Sequence, residues 1–264
     1  MDSFKSIMIS NSLATGTKTQ NNIAKNFHIN TKHSKRVMAP SMYRSRKLIN
    51  SESFRQTTSL PEKSYPNSKK ELLPKIDFKR DNLSNLLSSR KSQLHQPIQK
   101  KLGLDDLSYL CWATYGKNAK GTRNAPSGGA LYPCELYLIA INTDVDKGVY
   151  HYRPDMHSLE RVNNQVPNLD DYLMITNGFE NTSLVFITSI VFDRTTFKYG
   201  DRGYRYALLE AGAMSQNLSL MATNLGYTAT SFGGTSDVEV ERLLGIDGLS
   251  ESIINCVLIN SDME

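Results

Sequence analysis

A chain of 264 residues with 39% hydrophobic content can bury a sizeable core, and its formal charge of +5, from 31 Lys+Arg against 26 Asp+Glu, has its basic excess before residue 105. Such a basic segment does not by itself indicate nucleic acid; it can steer an acidic peptide or partner subunit, or simply remain solvated. Three cysteines (Cys111, Cys134 and Cys256) without CxxC spacing or a histidine cluster suggest neither a zinc site nor a disulfide framework, while the lack of a signal-peptide pattern or an eighteen-residue apolar run predicts a cytoplasmic protein with free thiols, no metal and no membrane contact.

Residues 1–75 are rich in Ser, Asn, Thr and Lys with scattered apolar positions, and read as a polar basic extension that is partly disordered or wraps a partner or a second copy. Residues 76–264 form the expected catalytic domain. A short helix is predicted around Leu83, Leu86 and Leu87, and another over 105–115, where Leu107, Leu110 and Cys111 share a face. Residues 135–141 (ELYLIAI) suit a buried strand, and 148–162 read as a hairpin turning at Pro154-Asp155, with His151 and His157 on its surface. Residues 184–192 (LVFITSIVF) have the β-branched and aromatic content of a central strand. A long helix is expected over 204–225, with Leu208, Ala211, Ser215, Leu218, Ala222 and Leu225 as its apolar or small stripe and Gly226 as its cap. A short helix over 237–244 and a strand over 253–259 complete the chain. Strands and helices alternate without a regular βαβ rhythm, which predicts an α+β fold with a mainly antiparallel sheet flanked by helices.

The segment most suggestive of chemistry is 123–133, RNAPSGGALYP, between a helix and a strand. Arg123 is a cation, Pro126 fixes one dihedral, Ser127 offers a hydroxyl, and Gly128 and Gly129 can take positive φ and expose their amides. On these properties alone the loop is either a tight turn or a grip for the edge of a flat ligand. Arg90-Lys91-Ser92 could meet a phosphate dianion or be an ordinary surface cluster. Lys198-Tyr199 in FKYGDRGYRY could carry protons or pack as loop residues by their stems. Gln216-Asn217 lies within the long helix, and Gly233-Gly234 in SFGGT precedes a helix, where consecutive amides can face an anion.

These segments, in this order, resemble the nitroreductase superfamily over about residue 80 to the C-terminus, and within it the SagB-type (McbC-like) azoline dehydrogenases. PSGGALYP followed by ELYL resembles the superfamily loop that grips the isoalloxazine of FMN. Arg90 and Ser92 resemble the Arg-x-Ser element that contacts the flavin phosphate and ribityl chain, although Leu94 stands where the family usually has a second basic residue. Gln216 and Asn217 resemble a pair near the flavin, with Ala213 where many members have histidine. SFGGT followed by an LLG helix resembles the late glycine element. Lys198-Tyr199 resembles the adjacent pair that marks azoline dehydrogenases, and Phe27-His28-Ile29-Asn30-Thr31-Lys32 resembles a His-x-x-Thr-Lys patch near the start of SagB-type proteins.

The resemblance implies FMN as cofactor, Lys198 and Tyr199 as catalytic residues, and Arg90, Ser92, Arg123, Pro126, Ser127, Gly128, Gly129, Gln216, Asn217, Gly233 and Gly234 as cofactor contacts. It implies oxidation of thiazoline or oxazoline rings in a ribosomally made precursor peptide, in company with a cyclodehydratase, by a homodimer with flavins at its interface. Two other readings are an NAD(P)H-dependent FMN reductase acting on nitro compounds, quinones or enes, and a non-catalytic scaffold in a peptide-modifying complex. Fast bleaching of the flavin by NAD(P)H separates the first from the dehydrogenase.

Overall fold

The computed structural model describes residues 63–75, 83–93, 101–165, 172, 182–232, 235 and 237–261. Most of the predicted extension, the His28 patch, Leu94, Gly233 and Gly234 lie outside the described residues.

Among the described residues, seven strands make one sheet in the order β1-β4-β3-β2-β5-β7-β6. The strands are β1 (Lys70–Leu72), β2 (Cys134–Ala140), β3 (Gly148–Arg153), β4 (Ser158–Asn163), β5 (Leu184–Val191), β6 (Tyr227–Phe232) and β7 (Glu251–Ser261). All neighbours pair antiparallel. The helices are α1 (Leu83–Ser89), α2 (Leu104–Tyr115), α3 (Asp193–Tyr199), α4 (Arg202–Asn224) and α5 (Asp237–Leu244). The expected α+β arrangement is therefore present.

Central strands β2 and β5 are buried on both faces, which explains why they read as continuous apolar runs rather than alternating ones. Alternate residues feed two cores. Leu136, Leu138, Phe186 and Val257 pack on one face with Leu107 and Leu110 of α2 and Ala211, Met214 and Leu218 of α4. Tyr137, Ile139, Ile187 and Leu258 pack on the other with Val240, Leu243 and Leu244 of α5.

The structure adds to the sequence reading in four places. Leu208 of the expected α4 stripe is 37% exposed, because the buried face runs through Ala207, Ala211, Met214, Leu218 and Ala222. Residues 193–199, outside any predicted helix, are helical as α3, and the segment after Gly226 pairs with β7 as β6. The described end of the extension, residues 63–75, contributes β1 and lays Tyr65 against the second core. Gly226, with φ 77, caps α4 as expected.

Candidate active site

Ser127 opens a tight turn in which Gly128–Ala130 form one 3-10 turn. Positive φ recurs at Gly129 (68°), Ala130 (54°) and Tyr132 (47°). The strain is held by local bonds: the Ala130 amide donates to the Ser127 carbonyl at 3.1 Å, and the Tyr132 amide donates to Ser127 Oγ at 2.9 Å. Gly129 and Ala130 are exposed.

The turn is supported from beneath. Arg123 is buried, with its guanidinium 4.6 Å from the Tyr115 ring centroid and 5.4 Å from that of Tyr132. Tyr115 donates to Glu210 Oε1 at 2.5 Å, from a helix α2 residue to a helix α4 residue. Burial pushes the Glu210 carboxyl above its usual range, although the Ser127 and Tyr115 hydroxyls and the Cys134 main chain favour its charged form. Glu210 went unnoticed in the sequence because one acid on a helix carries no pattern; its place in the middle of an apolar stripe was the available signal.

Lys198 and Tyr199 close the last turn of α3 and come back over this loop. A Cβ built on Gly129 would collide with the Tyr199 hydroxyl and lie 3.1 Å from Lys198 Nζ. The two side chains also face each other, with Lys198 Nζ 5.2 Å from the Tyr199 ring centroid. Tyr199 meets Tyr206 of α4 edge to face at 4.9 Å, and Tyr206 packs against Gly128 in turn. The α3–α4 corner is tight because Gly203 lies against the Thr195 backbone, where any Cβ would stand 2.8 Å from the carbonyl carbon. Two motifs about seventy residues apart thus meet at one glycine.

Arg90 and Ser92 occupy the segment after α1, where Arg90 Nη1 donates to Ser92 Oγ at 3.4 Å. Gln93 stitches that segment to the sheet: its amide donates to Thr230 Oγ1 at 2.8 Å, and its carbonyl accepts from Asn260 Nδ2 at 3.2 Å. Thr230 belongs to β6, the strand that leads toward Gly233 and Gly234. Gln216 is exposed on α4, while Asn217 lines a groove of about 290 Å³ with Leu86, Trp112 and Asn124. The groove is lined by α1, α2 and α4 together with Asn124, two residues before the exposed Pro126.

Behind the loop, a buried ionic chain was not foreseen. Arg194 of α3 lies 2.5 Å from Glu135 Oε1, and Glu135 Oε2 is 2.8 Å from His151 Nε2. His151 Nδ1 is 3.9 Å from Glu160 Oε2, whose carboxylate also receives Arg153 Nη1 at 3.3 Å. His151 is therefore no surface hairpin residue: Tyr65 and Tyr137 enclose its ring and it is 0% exposed. His157 is half-buried, bonded to Ser108 Oγ and Tyr152 Oη at 2.8 Å each. Burial opposes ionisation of Glu135, yet His151 and Arg194 hold its carboxyl down at about 2. Burial likewise works against the His151 imidazolium, and the Glu135 and Glu160 carboxylates outweigh it, raising its pKa. Among the described residues no group of His, Cys, Asp or Glu is arranged to hold a metal ion, and no helix is long and apolar enough to cross a membrane.

Residues 99–259, more than half of the chain, match the Nitroreductase family. The chain belongs to the nitroreductase family. It is 34% identical over 174 residues to MJ1384 of Methanocaldococcus jannaschii, described as a nitroreductase, covering 64% of this chain and 87% of that protein. It is 33% identical over 135 residues to the microcin B17-processing protein McbC of Escherichia coli, a match that spans 47% of this chain and 49% of McbC. Among solved structures, a protein of Anabaena variabilis described as a nitroreductase superposes with TM-score 0.68 at 26% identity, over 90% of this chain and 46% of that one. The E. coli microcin synthetase McbBCD complex with truncated pro-MccB17 bound gives TM-score 0.56 at 22% identity, over 92% of each chain. A protein of Exiguobacterium sibiricum solved with FMN gives TM-score 0.50 at 11% identity, over 72% of this chain and 92% of that one. Within this nitroreductase-family chain, the family match contains the whole Ser127–Tyr132 turn, α3 and α4, and leaves Arg90 and Ser92 just outside its start.

Proposed function

We propose that this nitroreductase-family oxidoreductase is an FMN-dependent dehydrogenase that oxidises thiazoline or oxazoline rings of a ribosomally made peptide to thiazoles or oxazoles. The observation that carries the reading is the close approach of the Lys198 amine and the Tyr199 hydroxyl to Gly129. The likeness to McbC, a peptide-processing protein, and to a chain of the McbBCD complex supports the same direction, and points to a precursor peptide and a ring-forming partner assembly.

The turn suits a flat cofactor edge: Gly129 is exposed, and its lack of a side chain is what lets the Tyr199 hydroxyl and the Lys198 amine come up against it. Ser127, Gly128 and Gly129 would hold the ring edge, and Arg90, Ser92 and the Gly233-Gly234 element the phosphate end. Bound there, FMN supplies a two-electron acceptor. Aromatisation removes two electrons and two protons from the ring; one proton would leave with the electron pair, and the other would be taken by the neutral Lys198 amine or the Tyr199 phenolate while the second group orients the ring or shares the proton. Tyr206 fixes the Tyr199 ring in place for that task.

The decisive experiment is the visible spectrum of the purified protein, followed by anaerobic NADPH or NADH and then an azoline-bearing peptide. We expect a flavin band that nucleotides barely bleach and that the peptide bleaches. Rapid bleaching by NAD(P)H would instead make the chain a reductase, as the name given to MJ1384 suggests for that relative. Lys198→Ala should keep FMN yet lower ring oxidation at least about a hundredfold, the low end for a general base.

A further inference from the structure

We propose that Arg194 is a positioning residue that ties the Lys198–Tyr199 helix to the Gly128–Gly129 turn, a role whose kinetic consequence rests on the dehydrogenase reading above. The seven residues of α3 make barely two turns, and its N-cap, Phe192, has no side-chain cap. A helix this short does not hold its own geometry; outside contacts must supply it. Arg194 stands one turn before Lys198, on the same side of the helix.

Its Nη1 atom reaches both halves of the site. It lies 2.5 Å from Glu135 Oε1 in β2 and donates to the Tyr132 carbonyl at 3.3 Å. Tyr132 is the strained residue at the end of the turn, and its amide is already bonded to Ser127 Oγ at the turn's start. The same residue is therefore gripped on its amide by the loop and on its carbonyl by α3. Glu135 is a fixed anchor, because it pairs with Ser189 of β5 and its second oxygen is held by His151 at 2.8 Å. With Arg194 in place, movement of α3 away from the loop would separate a charge pair at the edge of the core, which is costly when one partner stays buried.

The test compares wild type with Arg194→Ala and Arg194→Lys in the full-length, FMN-loaded protein. Hydrogen exchange should rise together in residues 127–134 and 193–200 of the Ala variant, while the middle of α4 is unchanged. Turnover of an azoline peptide should fall about 100-fold, the effect of a small misplacement, with KM changed less than about twofold. Added guanidinium should restore part of the rate, and Arg194→Lys, which keeps a charge opposite Glu135, should fall between the two. A variant that merely loosens the fold would lose melting temperature and FMN without rescue, and would overturn the proposal. So would exchange confined to 193–200, or full turnover in Arg194→Ala where Lys198→Ala is inactive. If wild type oxidises no azoline, the dehydrogenase reading fails by itself, and the coupled exchange still decides the tether.

Discussion

Gly129→Ala tests the site most directly, and the structure separates its two costs. The first is backbone: Gly129 has φ 68°, a conformation that costs an L-residue roughly 1–2 kcal/mol. For a domain of this size that is a fall of about 2–8 °C in melting temperature. The second is local, because the new methyl would strike the Tyr199 hydroxyl and approach Lys198 Nζ at 3.1 Å, so both must move. Displacing reacting groups by about an ångström costs on the order of 100-fold in rate. Gly121→Ala is the matched control: Gly121 has φ 77° and nothing within 4 Å of its Cβ position, so it carries the backbone cost without the collision. The assay pairs thermal unfolding with azoline oxidation under saturating FMN. We expect similar melting losses in the two variants and a large rate loss only in Gly129→Ala. Equal rates in both would refute the placement of Lys198 and Tyr199 over the turn.

The remaining expectations concern the rest of the fold. The carboxyl of Glu135 falls from 4.5 to about 2, so its charge adds on the order of 3 kcal/mol above about pH 4.5, lost as pH drops toward 2. His151 is raised above 6.5, so its contribution is complete below 6.5 and disappears as pH rises through its folded value. The ionic chain is thus strongest between about pH 4.5 and 6.5, and the difference in urea stability between wild type and Glu135→Gln should peak there; a difference independent of pH would show that the chain is not ionised. Leu209 of α4 is 71% exposed and Phe197 of α3 42% exposed, apolar surface available to the homodimer that the family resemblance implies. Leu209→Asp should give a monomer by light scattering with weakened FMN retention, and an intact dimer would move the interface elsewhere. Cys111, Cys134 and Cys256 are all buried, with Cys256 pushed up to about 12 by desolvation, so none should react with a thiol reagent at neutral pH until the protein unfolds.

What could be read from the chain depended on how far each signal extended. Long elements such as β5 and α4 declared themselves through runs and periodicity that survive any tertiary context. The seven residues of α3, DRTTFKY, carry neither an apolar stripe nor a capping side chain, so only Asp193 in the first turn and Lys198 in the last distinguish them from loop. Strand β6, YTATSF, carries the alternation and β-branched threonines of a strand but is only six residues long and directly follows the helix cap at Gly226; its pairing with β7 fixes it. His151 was placed on the surface because a hairpin ordinarily has one wet face; here Tyr65, from far upstream, covers it. The glycine turn and the Lys-Tyr pair were each legible as motifs. Their contact was not, since it is made by the α3–α4 corner, whose tightness depends on Gly203 lying against the Thr195 backbone.

The alternation of β2 explains how one short turn can be held from both faces of the sheet. Immediately after Tyr132 and Pro133, Cys134 points into the core with α4, its thiol 3.7 Å from the Ala207 carbonyl. The next side chain, Glu135, points the other way and meets Arg194 and His151. The end of the turn is thereby fixed to the apolar layer through one residue and to the ionic layer through the next. A shift of β2 by a single residue would exchange the two, placing a carboxylate against the Ala207 carbonyl and a thiol against the guanidinium. The register of this strand with β5, from Cys134↔Ile190 to Ala140↔Leu184, is consequently also the register of the site.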